Sequence, residues 1–227
     1  MSYLLKHILQ PKLHAHIFRN WIKYVPFLLA GFCFSLTVRA TAQSAIKMVK
    51  YDLRVLNMNI GELTVKQQTG ANDLIIDAIT DVKVKILFTY EVRFLQHSLY
   101  RQGNLWSSHL QTFKNGQPNS DTWLSKKGET YLLIKDGDTT LIHDKITYSG
   151  SLIYFNEPTH DLFIYQEVDG GKKYLKYIGN QSFILTDNEG HKINKYVYKN
   201  GILDHAEIKH TLATIYMDRS TNVNNLQ

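Results

Sequence analysis

The sequence predicts an all-β protein: an antiparallel meander forming a curled sheet, half-barrel or barrel of roughly a dozen strands, with one short helix or irregular segment near 149–161. Three observations predict it. Apolar residues recur at every second position through long runs. Tight-turn dipeptides punctuate those runs at short intervals. After residue 42, no stretch carries a comparable helical stripe.

The N-terminus reads differently from the rest. Residues 1–23 are basic and hold no acid, Tyr24 to Val38 form an apolar run, and Ala40-Thr41-Ala42 then precede Gln43. A basic region, an apolar region and a small-x-small site make a secretory signal peptide, with cleavage expected between Ala42 and Gln43. The apolar run falls short of the roughly 20 residues a membrane span needs. An uncleaved N-terminal anchor is the alternative. Cys33, the single cysteine, follows Phe32 rather than the small residue that a lipoprotein site requires. Cleavage would leave a domain over 43–219 and a polar tail over 220–227 that is expected to fray. That domain has no thiol for a disulfide, a metal or a nucleophile.

Charge follows the same division. Five cations of the first 42 residues (Lys6, Lys12, Arg19, Lys23 and Arg39) account for most of the formal +6. The remainder is close to neutral, and its basic residues stand among acids. No nucleic-acid partner is expected, because no basic run alternates with aromatics to track phosphates.

Within the domain, Val49, Tyr51, Leu53 and Val55 alternate with Lys50, Asp52 and Arg54. Leu74, Ile76, Ala78, Thr80, Val82, Val84 and Ile86 share one face of a long strand. Asp73, Asp77, Asp81, Lys83 and Lys85 share the other with Ile75 and Ile79. Phe88, Tyr90, Val92 and Phe94 continue the alternation. Successive side chains of a strand point to opposite faces, so each run has one dry and one wet side. Turns are expected at Gln102-Gly103, Asn115-Gly116, Asp136-Gly137, Gly170-Gly171, Gly179-Asn180, Glu189-Gly190 and Asn200-Gly201. Ser149 to Asp161 breaks the rhythm, and Pro158 interrupts any ladder. It reads as a loop or single helix over the sheet, either a plug or a lid.

Catalytic and metal chemistry find little footing. There is no GxSxG elbow, no phosphate-binding glycine loop and no HExxH pair. His205 and His210 would face opposite sides of one strand, and His160-Asp161 is a lone pair. Glu157, Asp161 and Glu167 form the densest acid group near the irregular segment, but nothing in the spacing sets their separation. No cofactor is expected, and the reading leans away from an enzyme. The aromatics are core material or the lining of an apolar cavity; Phe155, Glu157, Tyr196 and Tyr198 are the candidate ligand-binding residues.

Three stretches carry a resemblance. Tyr51-Asp52-Leu53 with Gly61-Glu62-Leu63-Thr64, then Ser151 to Pro158 (SLIYFNEP), then Ile193 to Gly201 (INKYVYKNG), resemble the motifs of an uncharacterised family of exported Bacteroidota β-proteins, a domain of unknown function. The resemblance spans about 45 to 217. It implies a periplasmic or outer-membrane-associated β-protein, loosely like lipoprotein-carrier half-barrels, and supplies no catalytic residues. The expectation is a non-catalytic cell-envelope domain that binds or carries a lipid or other apolar ligand. The alternative is a structural or interaction protein of the envelope without a small ligand. Membrane contact is expected only through the signal segment or peripherally.

Overall fold

The computed structural model describes residues 45–85, 89–187, 189–210 and 213–221. The expected signal segment, Cys33 and the expected cleavage site at Ala42-Gln43 lie outside the described residues, as does the tail beyond 221.

Among the described residues, fourteen strands run in chain order as one meander, close to the expected dozen: β1 (Ala45–Val55), β2 (Met58–Thr69), β3 (Asp73–Lys85), β4 (Thr89–Arg101), β5 (Asn104–Lys114), β6 (Gln117–Lys127), β7 (Thr130–Lys135), β8 (Asp138–Ile142), β9 (Leu162–Tyr165), β10 (Lys172–Gly179), β11 (Ser182–Thr186), β12 (Lys192–Lys199), β13 (Ile202–Lys209) and β14 (Thr214–Arg219). Neighbours in sequence pair antiparallel, with one exception, between β8 and β9. There the chain crosses from one edge of the sheet to the other. The long-range pairing of β1 with β14, in register at Tyr51–Arg219 and Arg54–Tyr216, joins the two halves of the meander. The result is a single curled sheet that does not close, with β8 and β9 as its edges.

The alternation read from the sequence sets which side faces in. Val49, Tyr51 and Leu53 of β1, Leu63 and Val65 of β2, and Ile76 and Ala78 of β3 are buried on the inner face. Outside, β3 and β4 form a charge ladder. Asp73 stands opposite Arg101, Asp77 opposite His97, Asp81 opposite Arg93 and Lys83 opposite Glu91; Asp77 and His97 share a hydrogen bond, and the other three pairs are in ion-pair contact. Between these rungs Ile75 faces Leu99 and Ile79 faces Leu95. Each exposed pair contributes only about 0–1 kcal/mol. Together they specify register, because a one-residue slip would set these charges opposite inner-face residues such as Val92 and turn the apolar face outward.

Turn chemistry follows backbone sign. Six two-residue turns hold both central residues at positive φ: Leu56-Asn57, Gln102-Gly103, Asn115-Gly116, Asp136-Gly137, Asn180-Gln181 and Asn200-Gly201. The expected turn at Gly179-Asn180 is shifted by one residue, with Gly179 ending β10. Leu56-Asn57, with a leucine at its first position, is not among the turns expected from the sequence. Gly61 answers a different demand. An added Cβ there would lie 2.0 Å from the Asp81 carbonyl oxygen, so a glycine is what lets β2 and β3 approach where the β1–β2 register shifts.

The connector from β8 to β9 enters the curl. It contains a 3₁₀ turn, Gly150–Tyr154, lying against β3 and β13. Ile146, Leu152, Ile153 and Phe155 are all buried in the same core as the inner strand residues. Burying four such side chains contributes about 1.5–3 kcal/mol each. The segment is therefore a plug, and its 3₁₀ turn ends at Phe155, whose backbone has left the helical region.

Candidate functional site

The plug is fastened by a polar cluster that sequence reasoning did not assemble. Ser149 and Ser151 are sealed from solvent, and Glu167 and Tyr100 nearly so. The Ser149 hydroxyl and the Ser151 backbone N–H (3.1 Å) both donate to Glu167 Oε1, and the Tyr100 hydroxyl bonds both serines, 2.8 Å from Ser151 Oγ. Gly150 makes room for the carboxylate, since a Cβ there would stand 2.9 Å from Glu167 Oε2. Hydrogen bonds to a charged group contribute about 1.5–3 kcal/mol, and a buried carboxylate needs them to offset its lost hydration. Burial, together with the nearby Glu167 charge, pushes the Tyr100 phenol well up, so it stays neutral as a hydrogen-bonding group. The serines have no solvent access, so the cluster works as a fastener between the plug and the β9–β10 turn.

Backbone bonds continue the fastening. Leu105 N–H donates to Ile146 O (2.9 Å) and Tyr165 N–H donates to Tyr148 O (3.1 Å), so the connector is stitched to β5 on one side and β9 on the other. The β9–β10 turn at Gly170 in turn abuts Ile142 and Leu133 of the opposite edge. The seam is thus bridged by packing and by the connector, without a strand pair between β8 and β9.

Tyrosines ring the plug. Tyr51 donates to Leu203 O (3.0 Å), and its ring lies 6.0 Å from that of Tyr154. Tyr148 donates to Asn156 O, and Asn194 Nδ2 donates to the Tyr196 hydroxyl (2.8 Å). Burial pushes the Tyr196 phenol up to about 12 and those of Tyr51, Tyr148, Tyr154 and Tyr198 beyond it. The buried Tyr198 hydroxyl and Asn194 Oδ1 lack a well-formed hydrogen bond; the Tyr148 hydroxyl, which donates to Asn156 O, stands beside Tyr198 with its lone pairs still able to accept.

Three of the expected ligand-binding residues meet here. Phe155, Tyr196 and Tyr198 belong to one buried core. Glu157 lies apart, half-buried, and accepts from Gln181 Nε2 (3.3 Å) in the β10–β11 turn. The acid group dissolves in three dimensions. Glu167 holds the plug, Glu157 holds Gln181, and Asp161 accepts from the Tyr174 hydroxyl (2.8 Å) and the Tyr177 N–H (2.7 Å).

Among the described residues, two of the surface depressions bear on this region and on the rim. One, of about 390 Å³, opens at the seam and is lined by Tyr148, Leu162, Phe163 and Tyr165 with Lys172 and Asp144. Lys172 lies 4.8 Å over the Phe163 ring and bonds Asp144, which also accepts from Tyr165. The other, of about 540 Å³, lies over the ends of β2 to β5 around Gly61 and the Asp81–Arg93 and Lys83–Glu91 pairs.

On the outer face of β5 to β8 a few apolar side chains stand exposed among polar ones: Trp123, Ile134 and Leu141 lie on the same side as Asp121, which accepts from His109 and Gln111. Trp123 is half exposed and stacks on His109 with ring centroids 3.6 Å apart. Trp123 stands opposite Ile134, and Leu132 opposite Leu141, which is 57 % exposed on the free edge strand β8. Tryptophan and leucine at alternating outward positions were the available signal. Among the described residues there is no group of three metal-ligating side chains and no helix long and apolar enough to cross a membrane.

A family model described as Domain of unknown function (DUF6134) matches residues 51–220. No curated protein matches the chain. Among solved structures, the crystal structure of the beta-barrel-like protein of domain of unknown function DUF1849 from Brucella abortus is similar in fold. Its TM-score is 0.53 at 9 % identity, covering 80 % of this chain and 98 % of that one.

Proposed function

The chain belongs to the DUF6134 family of unknown function, and from that premise we propose that it is an exported, non-catalytic domain of the cell envelope that acts through its outer surface as an interaction protein. The supporting observation is where the apolar side chains lie. Inside the curl, the plug takes the place of a ligand: Ile146, Leu152, Ile153 and Phe155 fill the core. Outside, Trp123, Ile134 and Leu141 are exposed beside β8, whose outer edge has no strand partner. Exposed apolar patches beside an open edge mark protein contacts. A photo-crosslinker at Leu141, with Lys199 on a distant strand as control, tests this in the native cell. The reading expects a discrete adduct from position 141 alone; no adduct, or the same adducts from both positions, sinks it.

A second reading keeps the apolar ligand or lipid. It is favoured by the seam depression, whose aromatic lining and Lys172 suit an apolar chain with an acidic head, with the plug as its lid. Native mass spectrometry of protein purified without detergent separates the two. A stoichiometric co-purified lipid moves the weight to the carrier reading, and an apo mass leaves it with the interaction protein.

A further inference from the structure

The β1–β2 hairpin tip breaks two rules at once. Its turn residue Leu56 has φ 48°, in the left-handed region, and its side chain is 78 % exposed. Five other hairpins with the same backbone put Gln102, Asn115, Asp136, Asn180 and Asn200 at that position. Those residues are polar, and Asn and Asp in particular tolerate positive φ. Met58, the next residue but one, is 54 % exposed. Neither strain nor exposure serves the fold, so the pair points outward for a reason outside it.

The surroundings indicate a lipid surface. Thr214 stands two residues beyond the Arg54–Tyr216 pair, level with Leu56, and its β13 partner is the exposed Lys209. On the other flank Lys83 follows the Gly61–Val82 pair, and the Gly61 row leads across β4 to the exposed Lys114. The acids on this flank, Asp81 and Glu91, are engaged by Arg93 and Lys83. Lys114 and Lys209 form no ion pair among the described residues. We propose that this tip is a membrane-surface anchor: Leu56 and Met58 enter the interfacial layer of a bilayer while Lys114 and Lys209 on its two flanks meet anionic headgroups. A stable protein interface needs about 800 Å² of shaped surface on each partner, which two side chains on a tip do not offer. A fluid bilayer needs no shaped surface, only apolar insertion together with basic charge.

The test uses the full chain with Cys33→Ser and a polarity-sensitive fluorophore on Asn57→Cys, with Asn200→Cys on the opposite rim as control. Vesicles of mixed phosphatidylglycerol and phosphatidylethanolamine are added. A blue shift at 57 and not at 200 is expected. Leu56→Asn with Met58→Ser should weaken vesicle-induced response at 57 by at least about tenfold in lipid concentration. Leu56→Asn restores the residue type of the other turns, so the variant should fold. No shift at 57, equal shifts at both sites, or a shift that survives the double substitution each overturns the proposal. The site-specific readout keeps any binding through the N-terminal segment from imitating the result.

Discussion

Replacing Leu56 by asparagine should make the protein more stable, an unusual direction for a substitution. In the left-handed region a leucine Cβ crowds the following carbonyl at a cost of about 1–2 kcal/mol, which asparagine largely avoids. The opposing loss is small, because Leu56 is 78 % exposed; about a fifth of the 1.5–3 kcal/mol for full burial is roughly 0.5 kcal/mol. The net expectation is a gain of about 1 kcal/mol, or about 2–4 °C in Tm for a domain of this size. Urea denaturation of wild type and variant under identical conditions measures it, with an unchanged slope as the sign that only stability moved. A lower midpoint for Leu56→Asn would mean that Leu56 packs against something in the native state. The strain argument, and with it the reasoning behind the membrane anchor, would then be refuted.

Three further outcomes follow from the core. Glu167→Gln keeps the shape of the fastener but gives up charge assistance in two hydrogen bonds, and should cost about 1–3 kcal/mol. Glu167→Ala leaves the Ser149 and Ser151 donors without their acceptor and should cost more; equal midpoints for all three proteins in urea would show that the cluster fastens nothing. Gly61→Ala drives a methyl to within 2.0 Å of the Asp81 carbonyl and should cost about 3 kcal/mol or more, whereas Gly116→Ala, with no atom within 4 Å, meets only backbone strain of about 1 kcal/mol; a melting comparison should rank them in that order. At alkaline pH the buried phenols decide. Tyr196 is raised by burial from 10 to about 12, so the folded state keeps a proton that the unfolded chain releases in that window. Stability is therefore full below pH 10 and falls as pH rises through it. Tyr196→Phe should flatten that fall, and an unchanged slope in urea midpoints between pH 10 and 12 would contradict it.

Much of the architecture was legible because its signals are local. The alternation of Leu74, Ile76 and Ala78 against Asp73, Asp77 and Asp81 needs only the strand's own geometry, and the structure puts the first set inside. Asn115-Gly116, Asp136-Gly137 and Asn200-Gly201 are turns because those residues reach positive φ cheaply. Ser149 to Asp161 read as an interruption because it lacks the period, and it proved to hold the 3₁₀ turn and the plug. Leu56-Asn57 was illegible for the same reason in reverse: the residue that sits in the turn is one the turn disfavours. The site was much less legible. Phe155, Tyr196 and Tyr198 were found as aromatics and do share a core, yet Glu167 was grouped with the wrong acids.

What the sequence determined by itself is the period-two strand pattern, the turns and the near-neutral charge after residue 42, since each depends on neighbours along the chain. What only the tertiary structure decided is everything that joins distant residues. The pairing of Tyr51 with Arg219 makes one sheet of two halves, the absent pair between β8 and β9 leaves a seam, and Glu167 reaches back to Ser149 to hold the plug inside it. Whether a curled sheet closes depends on twist and stagger accumulated over all its strands. No single run of residues carries that sum, so the seam, the plug and the surfaces they leave exposed appear only when the whole chain is folded.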